Sequence, residues 1–181
     1  MALKYQFLAL LIIIGIAVMN ASAYAQDQKL EQKISRAELF RSTPYPLPRF
    51  VSLASEKAYI RTGPGKQYPV KLIFEKKSIP LEVILEYDHW RKIKDIDGDV
   101  GWIHTSLLSG GRTAFIRGDA LIPGFKKPTQ ESDLNVYFEP GALVSIDSCG
   151  RVWCEVESAD YSAFVQKENL WGVYPDEVIE D

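Results

Sequence analysis

Cysteine is scarce in this chain, with only Cys149 and Cys154 among 181 residues, and histidine equally so, with only His89 and His104. Two thiols without a neighbouring His or acidic cluster make a poor zinc site, so no metal is expected. The same scarcity leaves little for catalysis. There is no activated-serine elbow, no cysteine close to a histidine in sequence, and no stretch of this sequence left over for a catalytic domain, so neither an enzyme nor a cofactor is expected. Charge of one sign is lacking as well: 21 Lys and Arg stand against 24 Asp and Glu, a formal net charge of -3. Nothing in that balance funnels toward nucleic acid. A long apolar run is also missing, because the unbroken stretch Phe7 to Val18 has twelve residues and a membrane span needs about 20.

What that short run does fit is a secretory signal peptide. Lys4 supplies a small positive start, the apolar run follows, and Ala21-Ser22-Ala23 and Ala23-Tyr24-Ala25 both offer small-x-small cleavage sites. Cleavage after Ala25 is preferred, with Ala23 the other position, and an uncleaved anchor is the alternative that the run's length disfavours. No cysteine follows the run to accept a lipid. The chain is therefore expected in the periplasm or secreted, with no stable membrane span after cleavage. In an exported chain Cys149 and Cys154 are expected to pair. They bracket Gly150-Arg151-Val152-Trp153, a hairpin that can bring the two β-carbons within reach of a disulfide.

After residues 1–25 the expected organisation is a spacer over 26–49, a first small barrel over 50–110 and a second over 111–181. In the spacer, Leu30, Ile34 and Ala37 recur at helical spacing within Asp27 to Phe40. Pro44-Tyr45-Pro46-Leu47-Pro48 then favours an extended polyproline II segment, with a boundary near Arg49. Beyond Phe50 come short alternating or β-branched runs, Ala58 to Arg61, Val70 to Phe74, Leu81 to Glu86, Trp90 to Lys94 and Gly101 to His104. Gly63-Pro64-Gly65, Tyr87-Asp88-His89 and Asp97-Gly98-Asp99 punctuate them. Five short strands in about 60 residues with no covering helix argue for an all-β fold and a small closed barrel. The pattern then recurs. Trp90 to Ile93 is answered 63 residues later by Trp153 to Val156, Leu108 to Gly110 is answered 62 later by Leu170 to Gly172, and Trp102-Ile103 is answered by Phe164-Val165. Chance matching of short β-patterns is the alternative to a diverged internal repeat.

Ala58-Tyr-Ile-Arg-Thr-Gly-Pro-Gly65, with Trp90-x-x-Ile93 and Gly101-Trp-Ile103, resembles the bacterial SH3-like domains of exported and cell-envelope proteins. The resemblance covers Phe50 to Pro175 and implies two tandem SH3-like barrels, the second of which lacks the Arg and the Gly-Pro-Gly order. It further implies that Trp90, beside the loop Tyr87-Asp88-His89, lines a peptide groove, with Ile103 in the core and His104 and Leu107 beside the groove. Strand parity agrees for Trp90: with Ile93 inward, the residue three positions earlier points outward. A groove of Tyr68, Tyr87, Trp90 and His104 would offer flat aromatic area with polar tips, suited to peptide backbone or sugar faces. The alternative is that these aromatics fill a small barrel's core and hinges. The implied function is a non-catalytic envelope binding module, with peptidoglycan or an envelope protein or peptide as partner. The other reading is an interaction protein whose barrels pack together and hold the chain's own Pro-rich segment, or that of a neighbouring copy.

Overall fold

The computed structural model describes residues 42–159 and 161–180, together with Tyr24, Gln28 and Lys29. These last three are helical; the rest of the expected signal segment and of the expected helix over 27–40 lies outside the described residues. From Ser42 onward the chain is all-β. The strands are β1 (Arg49–Leu53), β2 (Ala58–Arg61), β3 (Val70–Phe74), β4 (Pro80–Tyr87), β5 (Trp90–Lys94), β6 (Val100–His104) and β7 (Leu108–Ser109). They are followed by β8 (Thr113–Ile116), β9 (Ile122–Phe125), β10 (Leu134–Phe138), β11 (Leu143–Cys149), β12 (Trp153–Ser158), β13 (Tyr161–Gln166) and β14 (Leu170–Trp171).

Two seven-stranded sheets result, in the orders β3-β2-β6-β5-β4-β1-β7 and β10-β9-β13-β12-β11-β8-β14, which are the same order taken twice. They form two tandem SH3-like domains. Period-two alternation builds each core. In β2, Ala58 and Ile60 are buried while Tyr59 between them is exposed. The first core gathers Leu53, Ile60, Leu81, Val83, Ile93 and Ile103, and the second Ile116, Val144, Ile146, Val156, Val165 and Leu170.

The internal repeat extends to irregular features that hydrophobic patterning alone does not dictate. A register shift between Val83 and Leu85 in β4 recurs 63 residues later between Ile146 and Ser148 in β11. A 3-10 turn at Thr105–Leu107 recurs 62 later at Lys167–Asn169. The 63-residue offset makes the cross-strand pair Glu86↔Arg91 of β4 and β5 the counterpart of Cys149↔Cys154 in β11 and β12. All four side chains are buried. One position is thus closed by an ion pair, Arg91 Nε to Glu86 Oε1 at 3.2 Å, and its counterpart by the expected disulfide. Because that bridge closes a loop of few residues, loop-closure entropy assigns it about 2 kcal/mol, at the low end for disulfides.

Two expectations need correction. The first sheet has strands β1 and β7 besides the five read from the sequence; β7 has only two residues, and β1 begins immediately after the prolines, at the expected boundary residue Arg49. What makes β1 a strand is its partner, β4, in register from Arg49↔Val83 to Ser52↔Pro80. The segment before it is also not an extended polyproline II stretch. The chain bends at Thr43, Pro44, Tyr45, Leu47 and Pro48, because both of its ends are tied to the first barrel. Ser42 N and Thr43 N donate to Glu86 Oε2 at 2.9 and 2.7 Å, and Leu47 packs on the core.

Candidate functional site

The sheet order places an aromatic row on the outer face of the first barrel. Tyr87 of β4 is in register with Trp90 of β5, and Trp90 with His104 of β6. The Trp90 and His104 rings meet edge to face, centroids 5.4 Å apart at 85°, the geometry that aromatic quadrupoles favour. His89 extends the row, its ring 6.0 Å from that of His104. The loop carrying it turns at Asp88, whose φ of 49° lies in the left-handed region that Asp tolerates better than most residues. Asp88 Oδ1 and His89 Nε2 are 3.6 Å apart, both exposed.

His104 is oriented from its other side. Its Nδ1 lies 2.8 Å from Ser106 Oγ and accepts from Ser106 N at 3.3 Å, which caps the 3-10 turn at Thr105–Leu107. That arrangement leaves the Nε2 edge for the row. Leu107 is half-buried against the barrel core. Tyr68 stands apart from the row, because Arg61 pairs with Trp102 and the following Gly63–Tyr68 turn lies toward the Val100 end of β6, away from His104. There the Tyr68 ring covers Gly63 so closely that a β-carbon on Gly63 would come within 2.4 Å of it.

A residue the sequence reading passed over is Tyr59, exposed and two positions before Arg61, hence on the same face and toward the His104 end. The signal was present in the alternation of Ala58-Tyr59-Ile60. Among the described residues, no group of three or more His, Cys, Asp or Glu is placed to hold a metal. No helix among them is long and apolar enough to cross a membrane.

Behind the row, inside the barrel, is a second group that sequence reasoning missed. Glu86 is fully buried and accepts from Arg49 Nη2 at 2.6 Å, from Thr43 Oγ1 at 2.8 Å and from Arg91 Nε at 3.2 Å. Burial alone would raise its pKa, but the hydrogen bonds from Arg49 and Thr43 and the charges of Arg91 and Arg49 hold it below the ordinary value. Arg91 in turn donates to the carbonyls of Asp88 and Trp90 at 2.8 and 3.0 Å. The buried network therefore fixes the backbone from which the aromatic row projects.

Arg112, 63 residues after Arg49, occupies the matching place in the second barrel. With a cysteine standing where Glu86 would be, it pairs instead with Glu177 of the C-terminal segment and donates to Gly172 O at 2.7 Å. The two barrels meet through Phe50, which packs on Trp171 and Tyr174 at centroid distances of 5.2 and 4.8 Å. Tyr174 Oη donates to Glu82 Oε1 at 2.8 Å. Burial, then that bond and the charge of Glu82, push the tyrosine pKa well up.

The family model of the bacterial SH3 domain matches residues 54–110 and again residues 120–172. No curated protein sequence matches the chain. Among solved structures it is similar to NlpC1 and NlpC2 from Trichomonas vaginalis, each at 12% identity, with TM-scores of 0.32 and 0.31. Those matches cover 71% and 70% of this chain but 47% and 49% of the other two, so the chain spans about half their length. The chain, with one match on each barrel, belongs to the bacterial SH3 domain family.

Proposed function

We propose that the protein is an exported, non-catalytic binding module of the bacterial cell envelope that recognises peptidoglycan or an envelope peptide through the outer face of its first barrel. The observation that carries this reading is the row Tyr87, Trp90, His104 and His89, brought together on one face by strand register and ring contacts, with polar tips. Aromatic faces with hydrogen-bonding edges suit a sugar face or a peptide backbone. Asp88 in the adjoining loop adds an exposed acceptor. Export follows from the N-terminal signal pattern, and the envelope from the family and that pattern together. Leu107 supports the row by anchoring the turn beneath His104, and Tyr68 serves a neighbouring surface at the Gly63 turn.

The test is co-sedimentation of the purified protein with cell-wall sacculi. Wild type is expected to pellet, and Trp90→Ala, folded as judged by circular dichroism and melting, to remain in solution with binding weakened about tenfold or more. Wild type that stays in solution removes the wall as partner. Equal pelleting of both proteins removes Trp90 from the site.

A second reading has its own support, in the hydrogen bonds of Ser42 and Thr43 to Glu86 and in Leu47 on the core. On this reading the Pro-rich segment is a built-in clamp for the first barrel, and the barrels join through Phe50 and Tyr174 as one structural unit. The two readings are compatible, because the segment binds at Glu86 while the row lies on the outer face.

A further inference from the structure

We propose that the second barrel carries a separate site of different chemistry, taking the carboxylate of a short peptide's free C-terminus. The site is a cavity of about 360 Å³ lined by Arg117, Arg151, Val152, Gln166, Lys167 and Glu168, with Leu170, Val173 and Pro175 behind them. That volume is within the range of small-ligand pockets. The repeat gives the cavity its place. Offsets of 63 and 62 residues make Arg151, Val152, Gln166 and Lys167 the counterparts of Asp88, His89, His104 and Thr105. The cavity is thus the second barrel's version of the end that bears the aromatic row in the first.

The residue types have been exchanged with a net gain of positive charge, even though Ser106 has become Glu168. An acid has become an arginine, both imidazoles are gone, and a threonine has become a lysine. Trp153, the counterpart of Trp90, is engaged edge to face with Phe125 at 5.6 Å, rather than with a histidine on the neighbouring strand. What remains is three cationic side chains against the single carboxylate of Glu168, a local formal charge of +2 on a chain whose total is -3.

The three cations play different parts. Lys167 is buried, and its ammonium is fixed by the carbonyls of Glu177 at 2.6 Å and Pro175 at 3.2 Å, so it contributes a held charge at the cavity wall. Arg117 and Arg151 are exposed, so their guanidinium forks can turn to a ligand without breaking a buried pair. A guanidinium matches a carboxylate in two parallel hydrogen bonds. The buried Leu170 and Val173, with the exposed Val152 and Pro175 at the rim, distinguish a peptide end from a bare anion, since they give the last aliphatic side chain an apolar surface. Gln166 can pair with the terminal peptide group.

The experiment uses N-acetyl-trialanine with a free carboxylate, its C-terminal amide, and inorganic phosphate, each titrated into the isotope-labelled protein and followed by NMR. The free acid is expected to shift the resonances of Arg151, Val152 and Gln166 to Glu168, and to bind about tenfold or more tightly than the amide, with affinity falling as salt rises. Arg117→Ala/Arg151→Ala, two exposed changes that leave the core untouched, is expected to abolish the shifts, whereas Trp90→Ala leaves them intact. Absence of binding by the acid, equal binding of acid and amide, or undiminished binding by the double variant overturns the proposal. Phosphate binding as tight as the acid's overturns the peptide assignment. Because Trp90→Ala reads the first barrel and the arginine variant the second, loss of either site is scored separately.

Discussion

Replacing Glu86 with alanine is expected to cost about 3–5 kcal/mol of stability, the range for removing one partner of a buried ion pair. The reason is what the change leaves behind. Arg91 is buried and would keep its charge with no carboxylate beside it, and Arg49 and Thr43 would lose the same acceptor. Equilibrium urea unfolding of wild type and variant measures the difference, and a loss under about 1 kcal/mol would place the network among solvated surface pairs. Glu86→Gln keeps one acceptor oxygen and should lose less.

The same group sets an acid limb. Its folded pKa lies below the ordinary 4.5, so its contribution is present in full above that value and is lost as pH falls from there through the lower folded value. Glu177 is shifted the same way: burial would raise it, but the hydrogen bonds from Arg112 and the Tyr174 backbone, together with the charges of Arg112 and Lys167, hold it below the ordinary value. Stability of wild type should therefore fall below about pH 4.5, and Glu86→Gln should flatten that limb without removing the part due to Glu177.

Gly172→Ala is expected to be comparably damaging, at about 3 kcal/mol or more, while Gly110→Ala stays within about 0.5 kcal/mol of wild type. The two glycines end matching stretches of the repeat, Leu108-Ser-Gly110 and Leu170-Trp-Gly172, and look alike in sequence. At Gly172 the backbone has φ +144°, and a β-carbon would lie 2.2 Å from Thr113 O and 2.8 Å from Ala114 Cα, backbone atoms that cannot swing aside. At Gly110 there is nothing within 4 Å. Gly172 also presents its carbonyl to Arg112, so forcing it outward disturbs the Arg112–Glu177 pair. Thermal melts of the two variants side by side give the comparison, and similar melting temperatures would contradict it.

That pair of glycines shows where the sequence stopped being informative. Alternation and turn residues made five strands of the first barrel and the tandem repeat readable, because each strand's face is set by its own residues. The cysteine pairing was readable for a similar reason, since both partners flank one hairpin. β1 was not, because its strand character comes from hydrogen bonds to β4, about thirty residues on. Glu86 was not, because a glutamate at a strand end reads as solvent-facing, and what buries it arrives from Ser42, Thr43 and Arg49, some forty residues earlier.

The candidate site divides along the same line. Trp90, Tyr87, His89 and His104 came together because they lie on adjacent strands and one short loop. Tyr68 was grouped with them as a further aromatic, and the register of Arg61 with Trp102 carries it toward the other end of β6. Tyr59 was overlooked although parity alone turns it outward. The equivalence of Glu86–Arg91 with Cys149–Cys154 could be seen only from cross-strand register, since the residue types have nothing in common.

The most direct test of the first-barrel site is NMR mapping with soluble muropeptides released from sacculi, titrated into labelled protein. Shifts are expected to concentrate at Tyr87 to Trp90, His104 to Ser106 and Tyr59, with apparent affinity reduced about tenfold or more by Trp90→Ala. Shifts confined to other faces of the barrel, or none at all at millimolar muropeptide, would rule out the aromatic row as the binding site.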